Sequence, residues 1–117
     1  MSPHLYLAKY DPINYHCVHF AFDLLKDTRG IDVSPLFRNA LLPIGNSHLG
    51  NERKNLVKLT QPENFCFAFL SHRDDDKLHL GIFNNGFITH LTQTGVRIEK
   101  PSMMGLLYKI SYYRTME

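Results

Sequence analysis

The length, composition and charge of the chain favour one folded domain and exclude several classes of protein. Its residues are 44% hydrophobic and 12% aromatic, which is enough to form one buried core. A chain of 117 residues is too short for a second domain. A formal net charge of +2 is too balanced for a nucleic-acid-binding protein, and two cysteines are too few for a disulfide scaffold.

A first helix is predicted over residues 14–26. Apolar side chains recur there at spacings of three and four, as on the buried face of an amphipathic helix. Asn14 is a suitable N-cap, and Gly30 lies shortly beyond the end. Cys17 then lies in the first helical turn, where free backbone N–H groups and the helix dipole stabilise a thiolate. We therefore expect the pKa of Cys17 to lie below its ordinary value.

Two further helices are predicted before the first strand. Ser34 as N-cap, Pro35 at the first helical position and Pro43 as the stop define a helix over 34–42. The segment Glu52–Lys58 predicts a third, weaker helix. We therefore expect the first half of the chain to be mainly helical.

The second half of the chain predicts strands. Phe65–Leu70 is a short aromatic and apolar run, typical of a buried strand, and its Cys66 is expected in the core. Arg73–Lys77 is predicted to be a solvated turn, since its aspartates lack the alternating spacing of a calcium loop. Further strands are predicted over Leu78–Phe83, Phe87–Thr92, Val96–Ile98 and Leu106–Tyr113. Helices followed by a mostly antiparallel sheet of about five strands indicate an α+β fold.

The string Asn-Asn-Gly at residues 84–86 predicts a tight hairpin that brings two histidines together. If its last two residues form the loop, Gly81 pairs with His90 and His79 is the diagonal neighbour. If its first two residues form the loop, His79 pairs directly with His90. Both registers place the histidines on one face of the sheet, whereas a three-residue loop would separate them. Gly81, which has no side chain, leaves space beside both.

A cysteine hydrolase needs a thiol, a histidine base and a polar residue that orients the base, and the sequence offers Cys17, His79 and His90 for these roles. A thiol at a helix start, packed against the strand that bears His79, has a base beside it, and His90 would orient that base. Each residue also has a structural interpretation, because cysteine is often buried and strand histidines often lie in the core or at the surface. A zinc site of the same three residues, with His16 and His19 nearby, is a weaker hypothesis, so we expect no cofactor.

A longer pattern runs through the predicted hairpin. His-Leu-Gly-Ile-Phe-Asn-Asn-Gly-Phe-Ile-Thr-His at 79–90, followed by Gly-Val-Arg-Ile at 95–98, resembles a segment of the NlpC family. These are bacterial papain-like cysteine peptidases that cut cell-wall peptides. Leu106–Arg114 is similar to the closing strand of that family, and Tyr15–Phe20 stands where the family carries its nucleophilic cysteine. The resemblance implies a single papain-like domain over residues 1–117, with the cysteine on a helix packed against the sheet.

The resemblance also implies roles for individual residues. Cys17 corresponds to the nucleophile, His79 to the general base and His90 to the orienting residue. An upstream tyrosine, whose hydroxyl helps to bind the oxyanion, corresponds to Tyr10 or Tyr6, and the Cys17 backbone N–H is the second donor. The implied reaction is hydrolysis of peptide bonds in peptidoglycan stem peptides by a cysteine endopeptidase or amidase.

Two alternative functions stay open: an inactive structural domain of a phage tail or secretion assembly, and a related thiol acyltransferase or thioesterase. The first ten residues contain no basic segment followed by an apolar block, and no apolar stretch approaches the length of a membrane span. We therefore expect synthesis in the cytoplasm without a signal peptide or membrane insertion. A phage particle or secretion system would deliver such a hydrolase to the periplasm or cell wall. Its expected partners are the peptidoglycan peptide, phage tail proteins or a cognate inhibitor, and not nucleic acid.

Overall fold

The computed structural model of the protein describes residues 1–41, 49–75 and 77–116. Its α-helices are α1 (Pro3–Tyr6), α2 (Cys17–Arg29), α3 (Leu49–Glu52) and α4 (Pro101–Met104), and short 3₁₀ segments occupy Ser34–Leu36, Arg38–Leu41 and Arg53–Asn55. Its strands are β1 (Leu56–Leu59), β2 (Phe67–His72), β3 (Leu78–Asn84), β4 (Phe87–Thr92), β5 (Gly95–Glu99) and β6 (Tyr108–Thr115).

Within the described residues, these six strands form one sheet in the order β1-β6-β2-β3-β4-β5. Every neighbouring pair of strands is antiparallel. The predicted α+β class is confirmed, with six strands where about five were expected. In this part of the chain no helix has the length and hydropathy needed to cross a membrane.

Helix α2 begins three residues later than the sequence predicts, and its N-cap is His16 rather than Asn14. The His16 Nδ1 accepts a hydrogen bond from the Val18 N–H at 3.3 Å, and the His19 Nδ1 accepts the His16 N–H at 3.2 Å. Two imidazoles therefore satisfy the free N–H groups that the sequence analysis assigned to an asparagine. This shift makes Cys17 the first residue of the helix.

Helix α2 ends at the predicted glycine, but the helix predicted after it does not form. Gly30 ends the helix in the left-handed conformation, with a φ of 65°, as expected. The helix predicted over 34–42 is instead a pair of 3₁₀ segments that break at Phe37, which is fully buried in the core. Ser34 is the first residue of a segment rather than an N-cap. The predicted stop at Pro43 lies outside the described residues.

The third predicted helix, over 52–58, is correct only in its first half. Helical and 3₁₀ turns reach Asn55, after which the chain becomes β1 and pairs Leu56 with Thr115 of β6. The local residues have no strong preference for a strand. The available edge of β6 therefore decides the conformation, which is a tertiary effect that local propensity does not contain.

The predicted strands of the second half are confirmed, with ends that shift by up to two residues. The chain makes the expected turn over residues 73–75, whereas Asp76 lies outside the described residues. Cys66 is buried immediately before β2, as predicted.

The hairpin between β3 and β4 has the loop Asn85-Gly86, whose φ angles are 51° and 86°. This is the register in which Gly81 is opposite His90. A Cβ added at Gly81 would lie 2.7 Å from the Ile88 Cγ2 and 3.3 Å from the His90 Cβ. Glycine is therefore required at this position for β4 to approach β3.

The two faces of the sheet are covered differently. Helix α2 packs on one face, against a large core that includes Phe67, Phe69, Leu80, Ile82 and Leu91. The other face carries a smaller core of Ala68, Leu70, Ile88 and Met104 of α4. Because side chains alternate along a strand, His79 and His90 belong to this second face.

Candidate active site

Three side chains on the second face form a continuous chain of short contacts. His79 Nε2 is 2.8 Å from His90 Nδ1, and His90 Nε2 is 2.7 Å from Glu99 Oε2. The two rings meet edge to face, with centroids 5.0 Å apart. The contact between the histidines follows from the predicted hairpin, whereas Glu99 was not predicted. The β4–β5 hairpin pairs His90 with Arg97, which leaves Glu99 as the diagonal neighbour, so a second register argument would have found it.

Burial keeps both imidazoles neutral at neutral pH. The pKa of His79 is lowered to about 3, mainly by burial and then by the nearby rings of His90 and His16. His90 is 1% exposed, and burial lowers its pKa as well, although the Glu99 carboxylate acts in the opposite direction. Each neutral ring has one unprotonated nitrogen that can accept a proton.

Cys17 is a buried thiol at the first turn of α2, with 3% of its surface exposed. Burial raises the pKa of Cys17 to about 11, and the backbone N–H groups of Leu80, Val18 and Cys17 itself offset only part of this effect. The expected lowering of this pKa is therefore wrong, because lost solvation of the thiolate outweighs the donors at the helix start. Burial also raises the pKa of Cys66, so both side chains are neutral thiols at neutral pH.

The Cys17 thiol lies close to the backbone of β3 at Leu80. The ladder between these strands runs from the turn as far as the pair Ile82–Thr89. The N–H of Leu80, beyond this pair, lies near enough to Cys17 to lower the pKa of its thiol. Since Leu80 follows His79 in the chain, the thiol lies against the backbone beside that histidine. Among the described residues, no hydrogen bond joins the thiol to the His79 ring itself.

One of the two candidate tyrosines shares a cavity with His79. Tyr10 and His79 both line a surface cavity of about 290 Å³, whereas Tyr6 is 52% exposed and lines other cavities. Tyr108, which the sequence analysis did not single out, lines the same cavity as His79. Its pKa is raised by burial first and then by nearby carboxylates and Cys17, so its hydroxyl keeps its proton and can donate a hydrogen bond. Nothing in the strand pattern around Tyr108 distinguishes it from other strand residues.

The zinc hypothesis has no supporting geometry in the part of the chain that the structure describes. No group of three or more His, Cys, Asp or Glu side chains there is arranged to hold a metal ion. The facing nitrogens of His79 and His90 are 2.8 Å apart, which leaves no room for an ion between them. The remaining nitrogen of His90 contacts Glu99, and His16 and His19 each use a ring nitrogen in capping α2.

Comparison with known proteins assigns the chain to no family. No protein-family model matches the chain, and no curated protein matches it at a significant level. The resemblance of the histidine hairpin to the NlpC peptidases therefore stays a hypothesis.

Proposed function

We propose that the protein is a cysteine hydrolase in which Cys17, His79 and His90 act together. The observation that supports this most is the 2.8 Å contact between His79 and His90, on the strand whose Leu80 N–H lowers the pKa of the Cys17 thiol. A nucleophile needs a base within reach and a third group that orients the base. On this proposal Cys17 supplies the thiol, His79 the neutral imidazole and His90 the buried polar group that orients the imidazole.

The proposed reaction begins from a neutral thiol and a neutral imidazole. Cys17 Sγ attacks the carbonyl carbon while His79 takes the thiol proton, and His90 stabilises the imidazolium that forms. The new oxyanion accepts hydrogen bonds from the Cys17 N–H and from the hydroxyl of Tyr10 or Tyr108. The carbon–nitrogen bond then breaks, and His79 gives its proton to the leaving amine. Water attacks the thioester with His79 as base, which releases the acid and restores the thiol.

The proposed substrate is a peptide bond in a peptidoglycan stem peptide. This part rests on the resemblance of the histidine hairpin to cell-wall peptidases. A cavity of about 290 Å³ beside His79 is at the small end of ligand sites and suits a short peptide. Lys77, which lines the same cavity, provides a cation for a peptide carboxylate. On this proposal the protein acts on the cell wall after delivery by a phage particle or a secretion system.

The burial of Cys17 favours a second candidate function. A thiol that is 3% exposed and has a pKa of about 11 has the properties of a core cysteine. The second candidate is a structural domain of a phage tail or secretion assembly that has no hydrolase activity. Under it, His79, His90 and Glu99 serve only to satisfy one another's polar atoms.

Digestion of purified peptidoglycan, with the fragments identified by mass spectrometry, separates the two candidates. The parent protein and the Cys66→Ala variant should release peptide fragments, because Cys66 is a buried thiol away from the histidines. The Cys17→Ala variant should release none. Absence of fragments with the folded parent protein would favour the structural domain.

A further inference from the structure

Glu99 connects the buried histidine pair to the edge of the sheet. Its Oε2 is 2.7 Å from His90 Nε2, and its Oε1 is 3.4 Å from the Arg97 guanidinium. The side chain of Glu99 is 29% exposed, and its strand β5 is at the end of the sheet order. One carboxylate oxygen therefore contacts a buried ring while the other contacts a surface cation.

The contact with Glu99 determines which nitrogen of each ring carries a proton. A carboxylate only accepts hydrogen bonds, so the proton of a neutral His90 must be on Nε2. His90 Nδ1 is then unprotonated and accepts a hydrogen bond, so the proton of His79 must be on Nε2. The unprotonated nitrogen of His79 is therefore Nδ1, the one that faces away from His90.

We propose that Glu99 is a positioning residue that fixes the tautomers of both histidines and leaves Nδ1 of His79 as the basic atom. The use of this base against the Cys17 thiol rests on the proposed function, but the tautomers themselves do not. When His79 becomes an imidazolium, its Nε2–H still donates to His90, and the negative charge of Glu99 stabilises the cation through His90.

The contact with Arg97 is a much weaker explanation for the position of Glu99. The Arg97 side chain is 55% exposed and lies 3.4 Å from the carboxylate, and exposed ion pairs contribute little to stability. The contact with His90 is shorter and one partner is buried. Arg97 therefore supplies a matched control, because its removal takes away the second contact of the same carboxylate and no hydrogen bond of either histidine ring.

Nitrogen-15 NMR of the histidine rings in the full chain tests this proposal without any need for activity. In the parent protein at neutral pH we expect protonated Nε2 and unprotonated Nδ1 on both His79 and His90. A proton on Nδ1 of His90 would overturn the proposal, whether or not any variant folds. Glu99→Ala should give a mixture of tautomers at both rings, Glu99→Gln should restore the parent pattern through its amide oxygen, and Arg97→Ala should change nothing. Unchanged tautomers in a folded Glu99→Ala protein would also overturn it.

The rate of hydrolysis provides a second readout that separates the two proposals. If the parent protein hydrolyses peptidoglycan peptides, Glu99→Ala should lower kcat by about 100-fold, the lower end of what a general base contributes, with little change in KM. Glu99→Gln should recover much of that loss, and Arg97→Ala should behave as the parent. A parent protein without activity would contradict the proposed function and leave the NMR result to decide the role of Glu99. An active parent with an unaffected Glu99→Ala variant would contradict the role of Glu99 alone.

Discussion

His79 Nε2 lies 2.8 Å from His90 Nδ1, although these two residues are diagonal neighbours rather than direct partners across the β3–β4 hairpin. The direct partner of His90 in this register is Gly81. A side chain at Gly81 would occupy the space through which the two rings meet, since its Cβ would lie 3.3 Å from the His90 Cβ. The contact that defines the site therefore depends on a residue that takes no part in it.

Gly81→Ala should destabilise the protein and move His90 away from His79. The added methyl group would lie 2.7 Å from the Ile88 Cγ2, so β4 must shift, and overpacking of this kind costs about 1–3 kcal/mol of unfolding free energy. Urea denaturation measures the loss. Gly50→Ala is the matched control, because among the described residues a Cβ there meets only the end of the Leu78 side chain, at 3.7 Å. Equal stability of the two variants would show that the strands do not approach as closely as described.

The hairpin could be predicted because its determinants are local. Asn85-Gly86 favours positive φ, and the parity of a two-residue loop places His79 and His90 on one face. The N-cap of α2 at His16 could not be predicted in this way, since imidazoles are unusual caps. The strand at Leu56 depends on an edge of the sheet that the local sequence does not contain.

Burial explains why the state of Cys17 could not be predicted from its place in the sequence. A helix start favours a thiolate, and the sequence shows that much. The depth at which the thiol is packed depends on the whole fold, and desolvation raises its pKa to about 11. The contact of Glu99 with His90, in contrast, follows from a hairpin register that the sequence does contain.

Stability should fall as the pH is lowered from about 6.5 towards 3, because of His79. Its pKa is about 3 in the folded protein and 6.5 in the unfolded chain, so between these values the unfolded chain binds one more proton. The contribution is at most about 1.4 kcal/mol of unfolding free energy per pH unit. The lowered pKa values of His90 and His19 act in the same direction.

Urea denaturation at several pH values checks this dependence. His79→Gln cannot titrate, so its unfolding free energy should change less steeply with pH than that of the parent. A His79→Gln slope equal to that of the parent would mean that His79 does not stay neutral in the folded protein.

Iodoacetamide should react slowly with both cysteines of the folded protein at neutral pH. Both thiols are buried and have raised pKa values, about 11 for Cys17. The rate at Cys17 should increase about tenfold per pH unit between pH 7 and 9, because the thiolate is the reactive form. Peptide mapping by mass spectrometry measures each site separately. Rapid alkylation of Cys17 at pH 7, with Cys66 protected, would show that Cys17 is an accessible thiolate and would contradict its burial and its raised pKa.

Replacement of His90 should depend on whether the new side chain keeps both contacts. In His90→Gln the amide oxygen can accept from His79 and the amide nitrogen can donate to Glu99, so we expect appreciable hydrolysis. His90→Ala keeps neither contact and should be at least about tenfold slower in kcat than His90→Gln. Steady-state kinetics on a stem-peptide substrate compares the two. If both variants matched the parent, His90 would have no role in the reaction.

The central claim is that Cys17 forms a covalent thioester during hydrolysis. Acid quenching of the protein during turnover of a synthetic stem peptide, followed by intact-mass measurement and peptide mapping, tests it directly. We predict an added acyl mass on the peptide that contains Cys17 in the parent and in Cys66→Ala, and no added mass in His79→Ala. Hydrolysis by a Cys17→Ala variant, or turnover by the parent with the acyl group on any other residue, would contradict the claim.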